Sequence, residues 1–235
     1  MGRAKEIIVK VIPSSIANAF VKKNHYSGKV VPNSTLHFGC FLDGDLHGVM
    51  SYGSPMDKRK VLTMVSNTKW NEMLELNRMA FDEYLPKYSE SRCIAISIKL
   101  IKKNAPHIKW ILSFSDGTQC GDGTIYRASG FVLTSIKQNT GQRIDTKTGE
   151  VFSQVTFSAH RPNEKVYWQQ LKKLEGWQLR YIYLIDKTCQ ITVPILPFSK
   201  IDEMGAGMYK GEKITLKERT LSRVVESNAD FKLDA

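Results

Sequence analysis

A carboxylate placed directly after an apolar run is a ready proton acceptor, and the chain has such a place: Lys109-Trp110-Ile111-Leu112-Ser113-Phe114 leads straight into Ser115-Asp116. A mostly apolar run of this kind reads as a central strand, and open α/β sheets hold their ligand crevice at the carboxyl ends of strands. Asp116 is therefore the first candidate for a general base, with Ser115 beside it. The competing use of an Asp at this point is to cap the turn that follows. Tyr126 comes next, on a short helical stretch from Thr124 to Ser129 that Gly130 stops. Its ring or hydroxyl either faces the same crevice or packs in the core. Between the two, Cys120-Gly121-Asp122-Gly123-Thr124 has the form of a glycine-rich anion loop at a helix start. Gly121 and Gly123 would let backbone N–H groups meet a ligand; a flexible entry to the helix accounts for them equally well.

Arg78 is embedded in an otherwise apolar strand with Leu74, Leu76, Met79 and Phe81. A charge there needs a partner or a cleft. It can bind a phosphate or a carboxylate, or pair with Glu75 or Asp82. His25-Tyr26-Ser27 opens the first long loop, the least strand-like setting of the five histidines. His37 and His47 read as surface or packing positions in a hairpin. No histidine pair has metal-ligand spacing, so any metal would need ligands gathered from distant segments.

The elements that must position these residues follow from pattern and punctuation. Ser14-Ser15 precede a short helix that ends near Lys22-Lys23-Asn24. The runs Leu36 to Phe41 and Leu46 to Tyr52 flank Asp43-Gly44, the signature of a tight hairpin. Glu72 to Phe81 is strand-like. Ser89 or Ser91 caps a helix in which Ile94, Ile98 and Ile101 recur at helical spacing, closed by Lys102-Lys103-Asn104 and Pro106. After the central strand and the short helix come Phe131-Val132-Leu133, a hairpin around Thr146-Lys147-Thr148-Gly149, a helix over Glu164 to Leu174 and a strand over Arg180 to Ile185. This order predicts a mixed α/β sheet, mostly antiparallel, with helices on its faces. Beyond Pro197 the hydrophobic pattern fades. The expected division is a catalytic domain over 1–199 and a partly irregular extension over 200–235, with Glu226 to Ala235 frayed.

Lys and Arg number 34 against 23 Asp and Glu, a formal charge of +11, which favours a polyanionic partner such as nucleic acid. From Lys200 to Ala235 there are seven basic and seven acidic residues, so the excess resides before that point. The N-terminus has only the short apolar run Ile7 to Val9, unlike a signal peptide, and no apolar stretch approaches bilayer length. A cytoplasmic chain with no membrane partner is expected. The four cysteines, Cys40, Cys93, Cys120 and Cys189, contain no C-x-x-C pair, against a structural zinc site or a disulfide framework.

With these residues in view, the sequence resembles the Mom family of bacteriophage DNA-modification proteins, which have a GNAT-like acyltransferase fold. The resemblance rests on His25-Tyr26-Ser27, Glu75-Leu76-Asn77-Arg78, Ser89-Glu90-Ser91, Ser113-Phe114-Ser115-Asp116 and Gly123-Thr124-Ile125-Tyr126-Arg127-Ala128 before Gly130-Phe131. It covers roughly residues 18–135 well and the rest weakly. It implies conversion of adenine in double-stranded DNA to its N6-carbamoylmethyl derivative, protecting phage DNA from host restriction in the host cytoplasm. His25, Tyr26, Arg78, Ser91, Asp116 and Tyr126 fall on the family's functional pattern. A homodimer is compatible with this reading. In the wider acetyltransferase fold a glycine-bearing loop holds the CoA pyrophosphate, whereas this chain has Pro86-Lys87-Tyr88-Ser89-Glu90-Ser91-Arg92. The donor is thus open: acetyl-CoA or another acyl or glycyl donor; the alternative expectation is that His25, Tyr26 and Asp116 share a metal ion, iron or another divalent metal. In the implied reaction Asp116 takes the proton of a poorly nucleophilic amine, Tyr26 or Tyr126 stacks on an extruded base, and Arg78 orients the donor or a phosphate. The competing expectations are a GNAT-like acyltransferase acting on a protein or small amine, and a nucleic-acid-binding module without catalysis.

Overall fold

The computed structural model describes residues 2–209, 212–215 and 218. A 3-10 turn, Arg3–Glu6, leads to β1 (Ile8–Val11) and α1 (Ser14–Asn24), the hairpin β2 (Ser34–Leu42) and β3 (Asp45–Gly53), the short α2 (Lys58–Leu62), β4 (Met73–Phe81), α3 (Ser89–Asn104), β5 (Trp110–Asp116), α4 (Thr124–Ala128) and β6 (Val132–Gln138). Then follow β7 (Gln142–Ile144), β8 (Val151–Ser153), α5 (Gln154–His160), α6 (Lys165–Gln170), β9 (Lys172–Lys173), β10 (Trp177–Leu184), α7 (Ser199–Glu203), β11 (Met208–Tyr209) and β12 (Glu212–Lys213). The chain divides into two units. One comprises residues up to Phe114, Gly123–Ser135 and Arg180–Leu196; the other comprises Ser115–Asp122, Ile136–Leu179 and the described residues from Pro197 on.

The first unit is built on a seven-stranded sheet of order β1-β2-β3-β4-β5-β10-β6. From β1 to β4 the neighbours are antiparallel, and β4 and β5 are parallel. The expected hairpin forms because Asp43 and Gly44 both take positive φ, 54° and 94°, the backbone of a two-residue turn that suits twisted strands. α1 covers one face: Ala17 and Val21 are buried against Ile12, Val49 and Ala80. α3 covers the other, where the Tyr52 and Ser97 hydroxyls lie 2.6 Å apart in the core. Further along the α1 face, Met73, Trp110, Leu112 and Ile182 form an apolar cluster with Val61 of α2. Each such fully buried side chain contributes about 1.5–3 kcal/mol relative to exposure.

One irregularity in this sheet matters for the site. Ser51 pairs with Arg78 but Tyr52 pairs with Leu76, so Asn77 is the extra residue of a β-bulge. Glu75 lies opposite Gly53 and Arg78 opposite Ser51. The bulge therefore brings Glu75 and Arg78 to one face despite their odd spacing. The parallel register of β4 on β5 runs from Met73/Trp110 to Leu76/Ser113. At its end the Ser113 hydroxyl donates to the Leu76 carbonyl oxygen at 3.1 Å.

In the second unit β7 pairs with β8 and β9, around buried Phe152, Phe157 and Leu171 with Tyr167 and Trp168 packed against them. The hairpin expected around Thr146-Gly149 is present, with Gly149 at φ 74°. The helix expected over Glu164 to Leu174 is shorter, Lys165–Gln170. Leu171 turns extended, at ψ 138°, and buries its side chain in the aromatic cluster, and Lys172 and Lys173 pair with Ile144 and Arg143. Two helix starts also differ from expectation. α1 begins after Pro13 with no side-chain cap. α3 has Tyr88 at its N-cap in the left-handed region, φ 69°, while Ser89 and Ser91 donate to the Pro86 and Tyr88 carbonyls. α2 and α5 had no expectation attached to them. The frayed end expected over Glu226 to Ala235 lies outside the described residues. Among the described residues no helix is long and apolar enough to cross a membrane.

Candidate functional site

The loop after α1 is held on β3 and β4 at three points. Arg78 donates through Nε to the Lys29 carbonyl oxygen at 3.0 Å and through a terminal nitrogen to the Asn77 carbonyl oxygen at 2.9 Å. Ser34 Oγ donates to Asn77 Oδ1 at 2.8 Å, and the Asn33 amide donates to the Ser54 carbonyl. The strand charge that needed a partner thus meets two backbone carbonyls, that of Lys29 in a loop 49 residues earlier and that of its own neighbour Asn77. A Cβ on Gly53 would meet the Asn33 carbonyl at 2.0 Å, so only glycine permits this approach of loop to strand.

His25 and Tyr26 begin that loop. His25 Nδ1 accepts from the Ser27 N–H at 3.1 Å and lies 2.8 Å from Ser27 Oγ. An Nδ1 that accepts places the proton of the neutral ring on Nε2. The Tyr26 ring stands 4.2 Å from the His25 ring at 33° and is half exposed, a surface on which a planar ligand can rest. Sequence reasoning placed His25, Tyr26 and Arg78 in the site, and the structure joins them through one loop.

In the sequence Glu75 stands as a pairing partner for Arg78 and as the first residue of the Glu75-Leu76-Asn77-Arg78 motif that carries the family resemblance, with no chemical role of its own. It faces the end of the apolar cluster, beside its register partner Leu112, and burial raises its carboxyl to about 7, with the Arg78 charge opposing. No hydrogen bond to this carboxylate is present among the described residues. Its neighbour Asn77 keeps a buried Nδ2 without a hydrogen-bond partner among the described residues. On the same face His37 is buried with Nδ1 2.8 Å from Ser51 Oγ, and burial lowers its pKa, so it is a neutral packing residue. An acidic residue that can exchange a proton near neutral pH and an amide with an unmet donor together mark a binding surface. The signal for Glu75 was its place in a strand of inward-facing apolar residues; the signal for Asn77 is the bulge, which no sequence pattern announces.

The remaining candidates have other surroundings. Ser91, in the first turn of α3, accepts at its carbonyl from Ser129 Oγ at 3.3 Å, linking α3 to the end of α4. Tyr126 is buried, its ring 5.2 Å from Tyr181 and 5.5 Å from Phe131. Gly123 has φ 81°, and a Cβ there would sit 2.5 Å from the Tyr181 ring, so this glycine serves the packing of α4. Ser115, Asp116 and Gly121 belong to the second unit. Asp116 Oδ1 accepts from the Thr118 N–H at 3.0 Å and hydroxyl at 2.7 Å, and Oδ2 from Gln142 Nε2 at 2.7 Å. Ser115 Oγ donates to the Gly121 carbonyl oxygen at 2.6 Å. The Asp116 carboxylate thus shapes its turn, the structural use that its position after a strand allowed. Among the described residues no group of three or more His, Cys, Asp and Glu side chains is arranged to hold a metal ion.

Against known proteins, a family model described as the Mom protein family matches residues 6–200. The methylcarbamoylase Mom of Escherichia phage Mu is 34% identical over 157 residues, covering 66% of this chain and 64% of the relative's length. The chain thus spans just under two thirds of that relative. Solved structures with a similar chain path include an IAA acetyltransferase from Bacillus cereus, with a TM-score of 0.45 and 13% identity over 76% of this chain and 99% of that one. Another is the ribosomal-protein-S18-alanine N-acetyltransferase from Escherichia coli, with a TM-score of 0.45 and 11% identity over 77% of this chain and 94% of that one. The extent of the family match, which takes in the loop, the bulged strand and the Ser-Asp turn, decides the assignment: this chain belongs to the Mom protein family.

Proposed function

We propose that this chain is a DNA-modifying transferase that places a carbamoylmethyl group on the N6 amine of adenine, shielding phage DNA from host restriction. Family membership supports this reading, and the phage Mu relative is named a methylcarbamoylase. The observation that carries the reading is the loop of His25 and Tyr26 fixed by Arg78 beside a half-buried, readily protonated Glu75. The excess of 34 basic over 23 acidic residues supplies long-range attraction to the DNA polyanion.

The N6 lone pair is delocalised into the purine ring, so the amine needs a proton acceptor as its new bond forms. Glu75 fills that role: the N6–carbon bond forms, the donor's leaving group departs with its bonding pair, and the N6 proton passes to the carboxylate. In this reading the base expected from sequence at Asp116 is Glu75, because donors already engage both Asp116 oxygens: the Thr118 N–H on Oδ1 and Gln142 Nε2 on Oδ2. Tyr26 stacks on the extruded adenine, Asn77 Nδ2 offers a hydrogen bond to an acceptor on base or donor, and Arg78 keeps the loop in place. Asp116, Ser115 and Gly121 hold the turn after β5, and Ser91, Gly123 and Tyr126 hold α3 and α4 together.

The segment before α3 does not suit a CoA pyrophosphate. Left-handed Tyr88 occupies the N-cap, and the Ser89 and Ser91 hydroxyls donate to backbone carbonyls. Among the described residues no group of three or more His, Cys, Asp and Glu side chains is placed to hold a metal ion, and no step is derived through a metal or through CoA.

Plasmid DNA from cells expressing the chain tests the reading. Resistance to endonucleases whose sites contain adenine, lost with Arg78→Ala, is the expected result. Cleavage equal to that of plasmid from cells without the protein, despite folded protein, would overturn it.

A further inference from the structure

Beside the loop anchor lies a cleft of about 550 Å³, bounded by Asn33 and Ser54 on one side and by Met56, Lys58, Arg59 and Trp70 on the other. Its walls combine two features that seldom occur together on a surface without a partner. Trp70 and Met56 are apolar yet 48% and 77% exposed, and cations surround them. Lys58 Nζ sits 4.8 Å over the Trp70 ring and 3.4 Å from Asn71 Oδ1. Arg59 and Lys60 follow on α2, and Lys69 precedes the Trp. The one anion in the wall, Asp57, is engaged by Lys60, through Nζ at 2.7 Å and the backbone N–H at 3.4 Å.

The cleft adjoins the candidate site through two chain segments. Asn33 belongs to the loop that His25 opens and donates to Ser54. Gly53, next to Ser54, is the register partner of Glu75. A strand that delivers an extruded base to Glu75 must keep its neighbouring nucleotides somewhere, and an aromatic face ringed by cations suits an unstacked base with its phosphates.

Resting on the proposed DNA substrate, we propose that this cleft is a subsite for an unpaired nucleotide of DNA flanking the target adenine, with its base on Trp70 and its phosphates on Lys58 and Arg59. The occupant is committed by charge and shape: a polyanion with flat apolar faces.

Fluorescence anisotropy of a labelled single-stranded deoxyoligonucleotide with the full chain, over a range of salt, tests this. Trp70→Ala should weaken binding about tenfold without changing the salt slope, Trp70→Phe should retain most of the affinity, and the effect should be absent on an intact duplex, whose bases are not available for stacking. The double variant Lys58→Glu/Arg59→Glu should flatten the salt slope by about two. Lys99→Glu, an exposed cation on the opposite face of the sheet, serves as the control. The proposal is overturned if Trp70→Ala and the double variant, folded by circular dichroism, bind as the Lys99→Glu control does. Restriction resistance of plasmid DNA, scored on the wild type, separates the two ideas. Wild-type modification with unaltered oligonucleotide binding by the variants removes the subsite alone, whereas absent modification with altered binding removes the reaction and leaves the subsite.

Discussion

The guanidinium of Arg78 donates to the carbonyl oxygen of Lys29 at 3.0 Å, tying a bulged strand to the loop that carries His25 and Tyr26. Lysine cannot reproduce a bond made through Nε while a terminal nitrogen holds a second carbonyl. Arg78→Lys is expected to keep the fold, since the strand ladder is untouched, and to lose roughly 10- to 100-fold in kcat/KM through loosened positioning. Wild-type turnover in a folded Arg78→Lys protein would show that the anchor is dispensable.

Glu75 makes the chemistry depend on pH. Its carboxyl is raised to about 7 by burial, so activity should climb as pH rises through that value and the carboxylate forms. Stability runs the other way. The folded chain holds this proton more tightly than the unfolded chain, whose carboxyl titrates near 4.5. The contribution is therefore complete below about pH 4.5 and is lost as pH rises through 7, by on the order of 2–3 kcal/mol. Glu75→Gln should flatten that stability slope and cut turnover by roughly 10² to 10⁴. An unaltered pH–rate profile in the Gln variant would remove Glu75 as the base.

Asp116 separates two uses of a carboxylate. Replacing it with Ala leaves the Thr118 N–H and Gln142 Nε2 without this acceptor, while the Thr118 hydroxyl keeps Gln142 Oε1 at 2.7 Å, and a loss of about 1–3 kcal/mol is expected in urea unfolding. If Asp116→Ala instead abolishes product while unfolding at the wild-type urea midpoint, the residue acts in the chemistry and not in the turn.

Gly123→Ala should be among the costlier small substitutions, because the new Cβ meets the Tyr181 ring at 2.5 Å and the backbone is left-handed at φ 81°. A loss of about 1–3 kcal/mol in the same measurement is expected. A neutral result would mean that α4 shifts freely against Tyr181.

The elements that declare themselves locally were legible in the sequence. Asp43-Gly44 carries its turn in its own backbone preferences, and Ile94, Ile98 and Ile101 mark the buried stripe of α3. Arg78 was legible as a charge needing a partner. Its partner was not, because Lys29 reaches it only after the sheet has formed. Glu75 was legible as a possible partner of Arg78, but its place on the same face was not: regular alternation would set it on the face opposite Arg78, and the extra residue Asn77 reverses that. Leu171 shows tertiary burial overriding a helical pattern, since its side chain is worth more in the Phe152–Phe157 cluster than in one further helical turn. The Ser-Asp turn was found correctly as a place, while the bonds that occupy Asp116 come from Thr118 and from Gln142, the latter 26 residues on.

The central claim is settled most directly by mass spectrometry of nucleosides digested from DNA of cells expressing the wild-type chain or Glu75→Gln. The expected result is a deoxyadenosine heavier by one carbamoylmethyl group in the wild-type sample and its disappearance, or near disappearance, with Glu75→Gln at equal protein level. A wild-type sample containing only unmodified deoxyadenosine, from cells holding folded protein, would contradict the account.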